Sequence, residues 1–305
     1  MNTSVNQNFQ EIFTQNFITV FLGLVIICIN SIFVSTFFKS KIFLNNPRYI
    51  LYIHLVINDI IMVWISVTLF VMAYAWQNVI FSFCCPLLIT ASTTQKNTPL
   101  NLAMALERYI AICKPLHHPQ ICTVRRTYFL IFLIWIAGII PPLIDLVISA
   151  ILFPLFILKT VKVCSSAIVY NTDYHDKKNM ATNVIYTSFV WIVLVYTYCR
   201  VLFTAKKMSS DKVSAKKAQS TILLHGVQQL LCMLSYTTPV IDLFFARILP
   251  DQLKKISSNA YLLTNIVPRL LSPLIYGVRD QAFAKHLRKN VSCRLCVVKI
   301  ESAEK

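Results

Sequence analysis

Two oppositely charged side chains stand next to each other where a long apolar stretch of the sequence ends. Glu107 and Arg108 follow an apolar run that begins near Cys84. An unpaired charge at a membrane–water boundary is costly, and charges kept there usually serve a function. The two side chains can pair locally, and releasing Arg108 would free a cation to contact another helix or a partner. The pattern predicts a two-state switch; the alternative is a static ion pair that only anchors its helix.

The same stretch carries a polar stripe with helical spacing. Its members are Thr90, Thr94, Asn97 and Asn101. Residues three or four positions apart lie on one face of a helix. This face also holds Arg108, so the stripe is expected to point into the protein.

Lys96 flanks this stripe near mid-membrane, where an ammonium group needs an anionic partner or a ligand. Asp145 and Asp242, near the outer ends of later apolar stretches, are candidate partners. We predict that a small polar or anionic ligand contacts Thr90, Thr94 and Lys96. The alternative is a structural Lys96 that is satisfied by a backbone carbonyl or by Asp145.

These groups must be positioned by helices that cross a membrane. The chain of 305 residues is 56% hydrophobic and only 13% charged, which is about half the charge of an average soluble domain. Lipid offers no partner for open backbone groups, so segments of roughly 20 apolar residues must be helices. Prolines inside them, such as Pro99, are expected to be tolerated as kinks. Seven such spans are predicted, at about 17–38, 49–75, 84–112, 128–153, 182–205, 219–246 and 256–276.

The predicted fold class is an all-α membrane protein, a seven-transmembrane helix bundle. Residues 1–290 are expected to form one domain, and residues 291–305 a short tail. The net charge is +17, and most Lys and Arg lie in loops that an outside N-terminus would place in the cytoplasm. This asymmetry predicts an outside N-terminus and an inside C-terminus. The basic excess then faces anionic lipid and a cytoplasmic partner rather than nucleic acid.

Cysteines on the predicted outer side favour a disulfide bond. Cys84 and Cys85 open the third span, and Cys164 lies in the long second outer loop. The outside is oxidising, so one of the adjacent pair is expected to bridge to Cys164. Cys84 is favoured; the alternatives are a bridge from Cys85 and three unpaired thiols.

Further short motifs concern the two ends of the chain. Residues 281–289 are expected to form a short amphipathic helix just inside the membrane. Cys293 and Cys296 follow it and are candidates for palmitoylation, with plain free thiols as the alternative; no metal or cofactor is expected. Asn2 begins a glycosylation sequon on the outer side. Asn290 begins another, which its cytoplasmic location excludes.

Four motifs then occur in an informative order. Met104–His117 reads MALERYIAICKPLH, Pro47–Tyr49 reads PRY, Lys217–His225 reads KAQSTILLH and Ser272–Tyr276 reads SPLIY. They resemble the MAYDRYVAICxPLxY, PMY, KAFSTCxSH and NPxxY motifs of odorant receptors, a group of rhodopsin-like G-protein-coupled receptors. The chain looks most like an odorant receptor of the kind found in fish.

The resemblance spans residues 23–290 and implies roles for individual residues. Arg108 would be held by Glu107 in the resting state. The markers of the first, second and fourth helices are matched by Asn30, Asp59 and Trp135. The tyrosines implied to line the route to the G protein are Tyr109, Tyr196 and Tyr276.

The resemblance also implies partners and a place. A small-molecule odorant would bind in the outer half of the bundle, among helices three, five, six and seven. Tyr236 and Asp242 belong on the pocket side of helix six. The implied partner inside the cell is an olfactory stimulatory heterotrimeric G protein, and the implied location is the plasma membrane of olfactory cilia.

Three residues depart from the family pattern. Glu107 replaces the more usual Asp and keeps the charge, whereas Ser272 replaces Asn and weakens one polar contact. Cys84 lies one residue closer to Arg108 than the family's cysteine does. This leaves open either an irregularity in the helix or the use of Cys85.

A polar face on the seventh span is not a family feature. It comprises Tyr261, Asn265, Arg269, Ser272 and Tyr276, and it should point into the bundle. Arg269 lies one turn from Ser272, at about the depth where the family places Asp59. We predict an Asp59–Arg269 ion pair at the bundle centre; the alternative is that Arg269 reaches water in a cavity.

Other functions have less support. An opsin would need a lysine inside the seventh span, and an aminergic receptor would need an acid near Thr90; the sequence has neither. Matched inverted repeats, typical of transporters, and a repeated pore lining are not found. No enzyme motif occurs. The alternatives are a class A receptor for another small molecule or a peptide and, from a different class, a seven-helix transporter or channel.

Overall fold

The computed structural model describes most of the chain at residue level. The described residues are 2–75, 79–97, 99–152, 160–161, 164, 172–208, 226–227, 230–231, 234, 245, 248, 260, 262–280 and 282–290. In the first helix, side chains are described at Thr14 and from Phe17 onward.

The described part of the chain is helical apart from one short antiparallel ladder. Its elements are α1 Asn2–Phe38, α2 Lys41–Leu44, α3 Pro47–Ala75, β1 Val79–Ile80, α4 Phe81–Lys96, α5 Pro99–Cys113, α6 His118–Ile121, α7 Val124–Leu152, β2 Thr160–Val161, α8 Asp173–Met208, a π-helical turn Leu262–Ile266, α9 Val267–Arg279 and α10 at 282–290. The strands β1 and β2 pair in antiparallel register, Val79 with Val161 and Ile80 with Thr160. The predicted all-helical character therefore holds, with this two-residue ladder added.

Four helical segments are long and apolar enough to cross a bilayer, judged by length and composition. They are Phe17–Phe38, Pro47–Leu69, Val124–Ile151 and Lys177–Thr204. These lie within a few residues of the predicted first, second, fourth and fifth spans. Leu263–Ile275 is a shorter apolar helix at the predicted seventh span. Most of the predicted sixth span, 219–246, lies outside the described residues.

The third predicted span is broken rather than kinked. α4 ends at Lys96 and α5 begins at Pro99, with Asn97 outside both helices. Pro99 has no backbone N–H to donate, and its ring disfavours helical conformation in the preceding residue. The predicted span over 84–112 therefore consists of two helices, and the kink expected at Pro99 is a break. The break also supplies the irregularity that the short Cys84–Arg108 spacing left open.

Side chains from other helices satisfy the backbone groups that the break leaves open. The Tyr186 hydroxyl, on α8, donates to the Lys96 carbonyl at 3.0 Å. The Asn58 amide, on α3, donates to the Thr94 carbonyl at 3.2 Å and accepts from Asn97 Nδ2 at 2.9 Å. In a site without bulk water, each unmet backbone group would cost several kcal/mol. The break is thus stabilised by α3 and α8 together.

A glycine lets α7 approach the same break closely. A Cβ on Gly138 would lie 2.7 Å from Asn97 Oδ1 and 3.3 Å from the Thr93 carbonyl oxygen. Those distances are shorter than ordinary carbon–oxygen contact, so a larger residue at 138 would push α7 away from α4. α4 packs against α7 and α3, whereas α5 packs mainly against α8.

The cysteine choice predicted from the sequence is confirmed. Cys84 and Cys164 form a disulfide bond with a Cα–Cα distance of 5.7 Å. Cys85 is a free thiol, buried beside the bond. We call this side of the molecule the disulfide end and the opposite side, around Glu107 and Arg108, the arginine end.

At the arginine end, the last helix is fastened to the first three. Asp280 receives the Phe283 backbone N–H at 3.0 Å, an ion pair from Arg48 at 2.8 Å and the Tyr49 hydroxyl at 3.0 Å. Phe283 is fully buried in an aromatic cluster with Phe33, Phe37, Phe43, Tyr49 and Tyr52. The helix at 282–290 agrees with the predicted amphipathic helix at 281–289.

Asn290, whose sequon was set aside, is buried at the end of this helix. Its Nδ2 donates to Thr36 Oγ1 at 2.9 Å, and its Oδ1 accepts from Lys39 Nζ at 2.6 Å. An amide with both atoms engaged is not available as a glycosylation acceptor. This contact gives a structural reason beside the topological one.

The disulfide predicts different effects for two adjacent cysteines. Cys84→Ser removes a cross-link between residues 80 apart in sequence, which should destabilise the protein by roughly 2–5 kcal/mol. Cys85→Ser keeps the bond and should change the unfolding temperature little. Thermal unfolding of the purified variants measures both. Equal loss in the two variants would show that the bond is not confined to Cys84.

Candidate functional site

The candidate switch lies in the last two turns of α5. Glu107 Oε2 and Arg108 Nε are 3.8 Å apart, and the two side chains are 7% and 20% exposed. The pair predicted from adjacency is therefore formed, but it is a long contact near the limit for an ion pair. α5 holds it against α8, where Cys113 Sγ lies 3.3 Å from Thr204 Oγ1.

A second residue, which sequence reasoning missed, contacts Glu107 more closely than Arg108 does. His118 Nε2 lies 3.0 Å from Glu107 Oε1. His118 begins the short helix α6, and a tight turn brings it back, with the His118 N–H donating to the Pro115 carbonyl at 3.3 Å. The signal in the sequence was a histidine eleven positions after an acid. Only the fold of the loop shows that the two meet.

The same Glu107 carboxylate also affects the pKa of the Cys122 thiol. Cys122 follows α6 and is half-buried. Burial, and secondarily the negative charge of Glu107, raise the pKa of the Cys122 thiol above its ordinary value. The loop that carries α6 therefore folds over the Glu107 carboxylate.

The tyrosines implied by the resemblance are placed in part. The rings of Tyr109 on α5 and Tyr196 on α8 lie 6.5 Å apart between centroids. Tyr196 is exposed, and Tyr276 lies on α9 with its side chain outside the described residues. The structure thus brings two of the three together at the interface between α5 and α8.

The predicted ion pair between the second and seventh spans is present. An Arg269 guanidinium nitrogen on α9 contacts Asp59 Oδ1 on α3, and the side chains are 11% and 7% exposed. The π-helical turn Leu262–Ile266 precedes Arg269. Pro268 cannot donate to the carbonyl four residues earlier, which favours such a widened turn. Asn30 and Ser272, the other predicted core polar residues, are both buried.

The predicted ligand residues on α4 mostly bond to their own helix. The Thr90 hydroxyl donates to the Pro86 carbonyl at 2.8 Å and the Thr94 hydroxyl to the Thr90 carbonyl at 3.0 Å. The Asn97 side-chain amide donates to Asn58 Oδ1 at 2.9 Å, a contact that stabilises the break between α4 and α5. Thr90 is half-buried, whereas Thr94 and Asn97 are buried.

The acid proposed for Lys96 has another partner. Asp145 on α7 forms an ion pair with Lys178 of α8, and His175 Nε2 lies 3.6 Å from the same carboxylate oxygen. Lys96 is half-buried and within electrostatic reach of both Asp145 and Lys178. Of the two partners considered for Lys96, Asp145 is therefore engaged elsewhere, and Asp242 lies outside the described residues.

Several predicted positions fall outside what the structure describes. They are Tyr236, Asp242, Cys293, Cys296 and Tyr261, together with the side chain of Asn2. Their predicted roles stay predictions.

Comparison with known proteins decides the family. The family model of the seven-transmembrane receptors of the rhodopsin family matches residues 29–276. The chain belongs to this family. The matched range includes Glu107, Arg108, Asp59 and Arg269, so the contacts described above lie inside the receptor fold, in a family of signalling receptors rather than enzymes.

The receptor has odorant and olfactory receptors among its relatives. It is 30% identical over 204 residues to odorant receptor 131-2 of Danio rerio, covering 66% of this chain and 63% of the relative. It is 31% identical over 206 residues to olfactory receptor 6C6 of Homo sapiens, covering 62% of each. The aligned part thus spans a little under two thirds of the curated relatives it matches.

The ion pair at the bundle centre can be tested by charge exchange. Asp59→Arg and Arg269→Asp each bring two like charges together in a buried site, which should cost at least the roughly 3–5 kcal/mol of removing one partner of a buried pair. The double exchange restores opposite charges and should recover part of the loss. Unfolding temperature and surface expression of the three variants measure this. A double variant no better than either single one would contradict the pairing.

The position of Glu107 can be tested through Cys122. Glu107→Gln removes a negative charge that raises the pKa of the thiol, so the thiolate fraction at pH 8 should rise. Alkylation of Cys122 should then become faster, because the thiolate is the reacting form. Mass spectrometry after timed maleimide labelling measures the rate. An unchanged rate would show that Glu107 does not face the loop.

Proposed function

We propose that this receptor is an odorant receptor of the plasma membrane. It has seven spans, with the disulfide end outside and the arginine end in the cytoplasm. It binds a small molecule in the outer half of the bundle and activates a heterotrimeric G protein at the inner face. The observation that carries this proposal is the Glu107–Arg108 pair, held at one end of a rhodopsin-family fold by a long and shared contact.

The geometry of that pair supports a switch more than a static anchor. Glu107 divides its two oxygens between Arg108 at 3.8 Å and His118 at 3.0 Å. Because Glu107 has these two partners, it can release Arg108 and keep its contact with His118. Agonist then needs only to bind the released arrangement more tightly than the resting one, because equal affinity shifts nothing.

The names of the relatives support the ligand class. Odorant receptor 131-2 and olfactory receptor 6C6 are odorant receptors by name, and Lys96 lies in the half of the bundle toward the disulfide end. The ligand is a small polar or anionic molecule that contacts Thr90, Thr94 and Lys96. Tyr236 and Asp242 of the sixth span complete the pocket.

The partner inside the cell is a G protein of the olfactory stimulatory type. Tyr109, Tyr196 and Tyr276 line its approach, and basic residues between the fifth and sixth spans meet its acidic surface and anionic lipid. Palmitoylation at Cys293 and Cys296 would fasten the segment after α10 to the membrane. Glycosylation at Asn2 would mark the outer side, and the receptor would work in olfactory cilia.

The proposal can be tested with a cAMP reporter in cells that express the olfactory stimulatory G protein. A panel of water-soluble odorants should raise cAMP in cells with the receptor, and Arg108→Gln at equal surface expression should abolish the rise. Lys177→Gln, an exposed cation at the other end of the bundle, serves as the control and should respond normally.

Two results would contradict the proposal. One is a response of Arg108→Gln equal to that of the unchanged receptor. The other is an ion current that the receptor itself carries, without G protein, which would favour a channel or transporter.

A further inference from the structure

Three basic side chains surround one buried carboxylate at the disulfide end. Asp145 is buried on α7, and it contacts Lys178 and His175 of α8. Lys96 ends α4, which packs against α7, and its carbonyl receives the hydroxyl of Tyr186 on α8 at 3.0 Å; its ammonium interacts electrostatically with both Asp145 and Lys178. Three helices therefore converge on this group, which we call the lysine cluster: Lys96, Asp145, His175 and Lys178.

The charges of the lysine cluster do not balance. Lys178 and Asp145 cancel each other, and His175 adds no negative charge in any protonation state. The ammonium of Lys96 is left over, and no described carboxylate forms an ion pair with it. The Lys96 backbone carbonyl accepts from the Tyr186 hydroxyl at 3.0 Å, which fixes the backbone at this point but leaves the ammonium without an anionic partner.

An uncompensated ammonium in a half-buried site needs an anion. Taking a charged group out of water without a partner costs several kcal/mol even after relaxation. Lys96 is held near this place because α4 ends there, and the break is fastened by Asn58 and Tyr186. The backbone of Lys96 therefore cannot shift without disturbing the contacts that close the break.

We propose that Lys96 and Lys178 form the seat of a small organic anion, a carboxylate or a sulfonate. In the absence of ligand, Asp145 neutralises Lys178. This rests on the proposed function in taking the seat as part of the ligand pocket, and it adds the chemical class and the second lysine. The ligand's acidic group pairs with Lys96 and competes with Asp145 for Lys178.

The test compares matched charged and neutral probes on the purified full-length receptor in neutral-lipid nanodiscs. Sodium benzoate and benzenesulfonate should raise the unfolding temperature in a concentration-dependent way, and benzamide, of the same shape without charge, should not. Lys96→Met should weaken the effect of benzoate at least tenfold, and Lys96→Arg should keep it. Lys177→Gln, next to Lys178 but exposed, is the matched control and should behave like the unchanged receptor.

The role proposed for Asp145 gives a second test, in which removal of a charge should strengthen the binding of benzoate. Asp145→Asn removes the competitor, so benzoate should bind several-fold more tightly, whereas Lys178→Gln should bind it more weakly. A stabilisation by benzoate no greater than that by benzamide would overturn the proposal. So would an undiminished effect in Lys96→Met, or weaker binding in Asp145→Asn.

Failure of this inference is distinguishable from failure of the proposed function. Benzoate binding is measured without a G protein, and signalling is measured separately through Arg108. A receptor that signals through Arg108 but ignores both anions would lose the anion seat and keep its assignment as an odorant receptor.

Discussion

A charge or an open backbone group inside a helix bundle must find its partner in the protein or in a bound ligand, because lipid supplies none. The described acids obey this constraint by joining two helices each. Asp59 joins α3 to α9, Glu107 joins α5 to α6, Asp145 joins α7 to α8, and Asp280 joins α3 to α10. These pairs decide which helices meet and at what depth, while apolar packing fills the space between them. A lipid-facing apolar surface can shift with little cost, whereas a shift that separates a paired carboxylate from its partner leaves a buried charge uncompensated.

The same constraint explains why a broken helix is stable here. Pro99 removes a donor, and the carbonyls of Lys96 and Thr94 are met by Tyr186 and Asn58 from other helices. Proline-rich membrane helices survive when neighbours supply such groups. Contacts from α3 and α8 to α4 therefore stabilise the break, and Gly138 lets a further helix, α7, pack closely over it.

Much of the helix arrangement could be predicted because long apolar segments have only one way to satisfy their backbone. Asp59 and Arg269 could be paired from helical spacing and a family register, and a bridge from Cys84 or Cys85 to Cys164 could be expected from the oxidising chemistry outside the cell. Partners that depend on loop folding were beyond such reasoning. His118 reaches Glu107 only because the chain turns back after α5. The capture of Asp145 by Lys178 depends on how two distant helices align.

The gap between α4 and α5 changes how a displacement can travel along this molecule. A continuous helix acts as a rigid lever, and a tilt at one end appears directly at the other. Here α4, which ends at Lys96, and α5, which carries Arg108, are separate helices. The Thr94 and Lys96 carbonyls of α4 are bonded to Asn58 of α3 and Tyr186 of α8, so a displacement of α4 would act on those two helices as well as on α5.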